Sequence, residues 1–177
     1  MLPDMDPVNA WLLPPAADPY VTTFDEIHER FVVGAPFGEE RQLVFDALLL
    51  YARLIWRIVP DARLRINGGF VTHKPWAAPE DVDIAVVCPT ISQYQLDRAI
   101  VAPLFTLLEV KGVVVRIPVT IPKLHVMGGL VDAFPILPGL PALDATFRRI
   151  WSTVKGDDGE LIPGLTKGYV EVVNPDA

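Results

Sequence analysis

The chain has 177 residues, a formal net charge of -7 and a single cysteine, Cys88. That balance excludes broad, sequence-independent nucleic-acid binding, which needs clustered Lys and Arg, although one tRNA end docking in a local basic groove stays open. A lone cysteine excludes an intrachain disulfide framework, and the longest apolar segment, Val44 to Val59, is broken by Asp46, Arg53 and Arg57 and too short to span a bilayer. Residues 1–10 carry Asp4 and Asp6 and no basic region of a leader peptide, so a cytoplasmic protein is expected.

Residues 1–22 form a proline-rich N-terminal segment, extended and irregular, with Trp11, Leu12 and Leu13 expected to pack on the body. Residues 23–177 read as one domain of ordinary size, with 51% apolar residues to build its core. Thr23 and Glu26 have capping-box spacing ahead of Phe24, Ile27, His28 and Phe31, which predicts a short helix. Gly38 to Ile58 reads as a long core helix. Leu43, Ala47, Leu50, Leu54 and Ile58 form its stripe, widened by Val44, Leu48, Tyr51 and Ile55. Arg63 to Ile66 follows as a strand.

The stretch Asn67 to Ile84 carries the chemistry. It reads strand, glycine turn, loop, strand. In a strand starting near Asp81, successive side chains alternate faces, so Asp81 and Asp83 share one face and Val82 takes the other. Ala85 continues the aspartate face and leaves room. Two carboxylates so close repel unless a cation lies between them, and Mg²⁺ takes oxygen ligands. Gly68 and Gly69 lack a Cβ, so backbone N–H groups there approach an anion closely. One helical turn over Phe70–His73 is expected, its N-terminus facing a phosphate.

Beyond this block, Cys88 reads as a small buried hydrophobe. Ser92 is expected to cap a helix from about Gln93 to Glu109, kinked or divided at Pro103. Val113–Ile117 reads as a strand that Pro118 and Pro122 confine to an edge. Leu124–Ile136 reads as a strand region bent at Gly128-Gly129. It holds one acidic residue, Asp132, which needs a partner in so apolar a run and is the best candidate for a third metal-site carboxylate. Pro135–Pro141 reads as a turn-rich link. Asp144 is expected to cap a helix over Ala145–Val154, with Phe147, Ile150 and Trp151 inward. Asp157-Asp158-Gly159 signals a hairpin and Lys167–Val173 a last strand. The histidines, His28, His73 and His125, are scattered, so a zinc site is not expected.

The pattern of Gly-Gly, a loop, then Asp-hydrophobic-Asp resembles the nucleotidyltransferase superfamily of the DNA polymerase β type. The wider chain, from about Leu12 to Val173, is similar to small stand-alone bacterial proteins of that fold. Only the Gly68–Asp83 block is a specific motif.

The resemblance implies an α/β (α+β) fold, with a mixed sheet carrying the site on one edge and helices packed behind. It implies transfer of a nucleoside monophosphate from an NTP to an acceptor hydroxyl, with release of pyrophosphate. Two Mg²⁺ ions, or Mn²⁺, would be held by Asp81, Asp83 and Asp132. Gly68, Gly69, Thr72 and Lys74 would hold the nucleotide phosphates, with Lys123 and Lys167 weaker candidates for a phosphate-neutralising cation. The acceptor implied is a tRNA end, as in toxin-like members of toxin–antitoxin systems, a protein, or a small molecule such as an aminoglycoside. Nothing selects among the NTPs, ATP included. The superfamily usually has Ser where this chain has Gly69. That departure favours the rival expectation, a non-catalytic domain that binds nucleotide or a partner protein.

Overall fold

The computed structural model describes residues 1–90, 101–137 and 141–177. The chain is a mixed α+β protein. Its central sheet has five strands: β1 (Tyr20–Thr22), β2 (Arg63–Asn67), β3 (Val82–Val87), β6 (Val131–Ile136) and β9 (Val170–Val173). They lie in the order β1-β9-β2-β3-β6. β1 runs parallel to β9 and β3 parallel to β6, while β2 is antiparallel to both its neighbours. Two hairpins stand outside this sheet, β4 (Leu107–Val114) with β5 (Ile117–Leu124), and β7 (Thr153–Lys155) with β8 (Leu161–Thr166). Among the described residues, no helix is long and apolar enough to cross a membrane.

Two helices, one on each face, enclose the sheet. α2 (Gly38–Ile58) packs against Leu64, Ile66, Ile84, Val86, Val170 and Val172. The opposite face is closed by α3 (Pro141–Trp151), through Phe147 and Trp151 against Ala85, Val87, Ile136 and Tyr169. The expected mixed sheet with packed helices is present, and the helices cover both of its faces.

α2 has the bounds its pattern predicts, but the seam is rotated. Val44, Leu48, Tyr51 and Ile55 are buried, whereas Leu43 and Leu50 are 58% and 48% exposed. The sheet meets the widening residues of the stripe. Arg53 and Arg57 are exposed, as a solvated face requires. α1 (Phe24–His28) starts at Thr23, whose hydroxyl accepts the Glu26 N–H at 3.2 Å. The N-terminal segment is built into the body: β1 is one of the sheet's two edge strands, and Leu2, Leu12 and Leu13 are buried.

Of the helix expected over Gln93–Glu109, Val101 is helical, and beyond it the chain leaves the α-helix. Residues 91–100 lie outside the described residues, Ala102–Leu104 is a single 3-10 turn, and Leu107 already begins β4. Leu107, Leu108 and Val110 pair across to Leu124, Lys123 and Ile121 instead, so strand pairing overrides a helix-like apolar run. The strand expected over Val113–Ile117 is in fact the tip of this hairpin, turning at Val115 and Arg116 with φ of 49° and 69°. Pro118 and Pro122 lie in β5, which pairs with β4 alone. The expected strand over Leu124–Ile136 is confined to β6, after a 3-10 turn at Met127–Gly129. Pro135 and Ile136 belong to that strand rather than to a link. Asp144 lies inside α3, not at its cap, and the chain is extended again by Thr153. Trp151 is buried, whereas Ile150 is half exposed. The Asp157-Asp158-Gly159 signal sits in the β7–β8 hairpin, and the last strand begins at Val170.

Candidate functional site

The site lies where β2 ends and where β3 and β6 begin. Asn67 is the last residue of β2, and its Cα pairs across to Asp83, which pairs in turn with Asp132. Three polar residues thus form one row across the sheet, on the face away from α2. Asp81 stands two residues before Asp83, ahead of β3. Alternation holds within β3, where Val82 and Ile84 are fully buried in the α2 core and Asp83 is only half-buried, but Asp81 lies before the strand, so strand alternation does not set its face.

The glycine pair divides into two different requirements. Gly68 has φ +81°, and a Cβ there would collide with Asp83 Oδ2. Only glycine serves, because the turn out of β2 is left-handed and the carboxylate lies against it. Gly69 is unlike it, since a Cβ at that position would meet only Pro79, at 3.8 Å. The local geometry therefore accepts a serine at 69.

Phe70–His73 forms no helix. A single turn returns the Thr72 N–H to Gly69 O at 3.3 Å, and the Thr72 hydroxyl donates to the same carbonyl at 2.7 Å. That hydroxyl is occupied in holding the loop. Beneath it, Arg41 is fully buried and donates to Phe31 O, Phe70 O and Thr72 O at 3.1, 2.8 and 2.7 Å. One guanidinium thus fixes the glycine loop onto the first turn of α2. His73 is turned inward, its Nε2 2.8 Å from Arg30 O.

The carboxylates have different surroundings. Asp132 is buried, takes the Lys123 ammonium at 2.5 Å on Oδ2 and accepts the Thr106 hydroxyl at 2.7 Å on Oδ1. Asp81 Oδ2 lies 3.2 Å from His125 Nδ1. One ligand atom from each of Asp81, His125 and Asp132 falls within 4.8 Å of the others, which is a set able to hold a metal ion. Asp83 stands beside this set, not in it. Burial, Asp81 and Asp132 together push its carboxyl up to about 6, against weaker pulls from Lys167 and Lys123. Burial also raises Asp81, offset in part by His125.

On the other side of Asp83 opens a cavity of about 330 Å³. Gly68, Gly69, Asn67, Lys74, Lys155 and Lys167 line it, with Trp11 of the N-terminal segment. Lys167 is buried, donates to Asn67 Oδ1, and is pulled down to about 7 by desolvation. Asn67 Nδ2 in turn donates to Trp151 O at 3.1 Å.

The structure thus brings Gly68, Gly69, Thr72, Lys74 and Asp83 to one cavity and sets Asp81 and Asp132 with His125 on the other side of Asp83, while the Thr72 hydroxyl spends its hydrogen bond on Gly69 O. Sequence reasoning sets His125 aside as scattered and misses Lys155, Thr106 and Arg41. His125 and Lys123 lie two residues apart at the exit of the β4–β5 hairpin, and only the return of the chain into β6 brings them to the aspartates.

Fold and cleft define an α+β protein with paired carboxylates on one side of a glycine turn and a lysine-lined cavity on the other. The chain matches, over residues 4–173, the family model described as "Family of unknown function (DUF6932)", and it belongs to that family. A search of curated proteins found no match, and neither did a search of solved structures.

Proposed function

We propose that this protein is a divalent-metal-dependent nucleotidyltransferase, moving a nucleoside monophosphate from an NTP to an acceptor hydroxyl on a tRNA end, a protein or a small molecule. The central sheet is read as a nucleotidyltransferase fold. The observation that carries the proposal is the register of β3 and β6, which sets Asp83 beside Asp132 with Gly68 pressed on Asp83. Like-charged residues directly paired across strands are destabilising. Such a pair is a feature that a bound cation would relieve, and the glycine turn beside it leaves room for the phosphates that the cation would carry.

The donors fit a divalent ion. Asp81 and Asp132 offer carboxylate oxygens and His125 an imidazole nitrogen, a mixed set that suits Mn²⁺ at least as well as Mg²⁺. Asp83 would complete the acidic side of the site. When bound, the ions supply neutralisation of the triphosphate and activation of the acceptor hydroxyl. The chain's own residues do the positioning. Gly68 lets the backbone approach the phosphates, Lys74 and Lys167 balance their charge, and Arg41 keeps the glycine loop in place.

One observation favours the non-catalytic reading. The Lys123 ammonium already neutralises Asp132, on the carboxylate a metal would use.

The test is incubation with each α-labelled NTP, Mg²⁺ or Mn²⁺ and cell extract. Label is expected to pass to a macromolecule or small acceptor only with the divalent ion, and to be lost in both Asp83→Asn and Asp132→Asn. A folded Asp132→Asn protein that transfers at the wild-type rate removes Asp132 from the reaction. Nucleotide binding with no transfer from any NTP establishes the non-catalytic reading.

A further inference from the structure

The exposed side of α2 is not an ordinary solvated face. Leu43, Ala47, Leu50 and Leu54 recur at alternating steps of four and three residues, the spacing of a helix-pairing seam. At 3.6 residues per turn, Leu43, Leu50 and Leu54 fall within roughly 40° of one another round the helix. Leu43 and Leu50 are 58% and 48% exposed, and Leu54 is half-buried. The sheet meets the other side of the helix, through Val44, Leu48, Tyr51 and Ile55. α2 thus carries two apolar faces, and the body of the chain covers one.

The charges beside the leucines are sorted along the helix. Glu39, Glu40 and Asp46 lie in its first half, Arg53 and Arg57 in its second, and all five are exposed. Among the described residues none of them forms a salt bridge. Asp46 accepts the neutral Gln42 amide at 2.8 Å. The helix dipole accounts for acids in the first turn and for Arg57 in the last. It does not account for Asp46 and Arg53, which lie further in, or for the leucines.

A helix that covers this face must set leucines against leucines, bases against Asp46 and acids against Arg53. A second α2 running antiparallel does so. With a two-fold axis at Leu50, that side chain meets its own copy. Asp46 and Arg53 lie on opposite sides of the axis along the helix, at about 6 and about 4.5 Å from it, so each comes level with the other residue of the second copy. Round the helix the two are only roughly 20° apart, so the axis brings them together on one flank of the seam. Parallel packing would set acids against acids and bases against bases.

We propose that the exposed face of α2 is a self-association surface, on which a second copy of the chain lays its own α2 antiparallel, with the two-fold axis at Leu50. The contact is one helix on one helix, at the small and weak end of protein interfaces, so the chain pairs when concentrated and separates when dilute. The proposal is independent of any reaction at the aspartates.

The experiment is sedimentation equilibrium of the full chain from about 1 to about 300 μM, a range that spans weak association. The mass is expected to rise from that of one chain, 19.5 kDa, toward twice that value. Leu50→Glu sets two carboxylates at the axis and is expected to weaken pairing roughly tenfold or more, with the melting temperature of the dilute chain unchanged. Asp46→Arg and Arg53→Asp each place like charges across the seam and are expected to weaken pairing about tenfold, whereas the double variant exchanges the two charges and is expected to recover it. Leu50→Cys is expected to give a disulfide-linked dimer on mild oxidation, because the two thiols meet at the axis while the native Cys88 is buried. A single-chain mass at every concentration overturns the proposal. So does pairing that survives Leu50→Glu, or pairing that either charge reversal weakens and the double exchange fails to recover.

Discussion

Two neighbouring rows of side chains cross the same face of the central sheet, and they treat charge in opposite ways. In the inner row, Arg65 pairs across to Glu171, and its Nε donates to Glu171 Oε2 at 3.0 Å. Asp144 of α3 adds a second carboxylate to the same guanidinium, and Arg148 ties Asp144 to Asp18. In the outer row, Asn67, Asp83 and Asp132 lie side by side, two of them acidic. The inner row is closed by its own opposite charges and locks α3 and the N-terminal segment to the sheet. The outer row is short of positive charge on one side and holds an excess of lysines on the other. Two residues along the pleat, from Arg65 to Asn67, separate a structural use of charge from one that invites a ligand.

The largest effect should come from breaking the closed row. Arg65→Met leaves Glu171, itself 4% exposed, with only the partly exposed Arg63 at 3.2 Å. Removing one partner of a buried pair costs about 3–5 kcal/mol. Chemical denaturation should show that loss, and adding Glu171→Gln should restore much of it. If Arg65→Met alone is neutral, the inner row is not what holds α3.

The apolar face supplies the scale for that comparison. Leu48→Ala, at a fully buried position of α2, should cost about 2–4 kcal/mol. Leu43→Ala, at a 58% exposed position of the same helix, should change stability by less than about 0.5 kcal/mol. Equal losses at both positions would put the seam of α2 where the sequence stripe places it.

The open row should respond with the opposite sign. The Asp83 carboxyl rises from 3.8 to about 6 in the folded chain. Between those values the folded state keeps a proton that the unfolded state has lost, so stability should fall as pH rises from about 4 to about 6. Asp83→Asn should reduce that slope to what Asp81, raised by burial in the same direction, contributes, and should stabilise the protein near neutral pH by about 1–2 kcal/mol, since a tenfold change in a protonation equilibrium is worth about 1.4 kcal/mol. Melting temperatures across that range read the effect. A wild-type curve that is flat, or that rises, from pH 4 to 6 would show that Asp83 is already relieved by a partner.

Much of this arrangement is legible in the sequence. α2, β2 and β3 follow from apolar periodicity and from Pro60 after the helix, because those signals are local. The shared face of Asp83 and Ala85 follows from strand alternation alone. The importance of Asp132 is legible as one acid in an apolar run. Its partners are not, because Thr106 and Lys123 reach it only after the β4–β5 hairpin closes. That hairpin itself reads in part as helix, since Leu107 and Leu108 suit either state and the deciding partner lies many residues away. Arg41 gives no signal either. It lies in a polar first turn, and its burial is set by carbonyls of a loop about thirty residues later. The cavity lysines, Lys74, Lys155 and Lys167, belong to the same class, for they meet only when the β7–β8 hairpin, the glycine loop and β9 have all docked.

The position of β9 has a consequence for how the chain acquires its shape. Val170–Val173 pairs with Tyr20–Thr22 on one side and with Arg63–Ile66 on the other. Strands from near the start of the sequence are thus joined through one made near its end. Contacts spanning so many residues slow folding, because loop closure must precede any gain from pairing. During synthesis, β2 must wait with one edge bare while a hundred further residues emerge, and β1 has no strand to join at all. The buried Lys167 ammonium, which donates to Asn67 at the end of β2, is therefore among the last groups to arrive. A ribosome that stalls before residue 170 releases a sheet in which β1 has nothing to pair with and β2 keeps a bare edge.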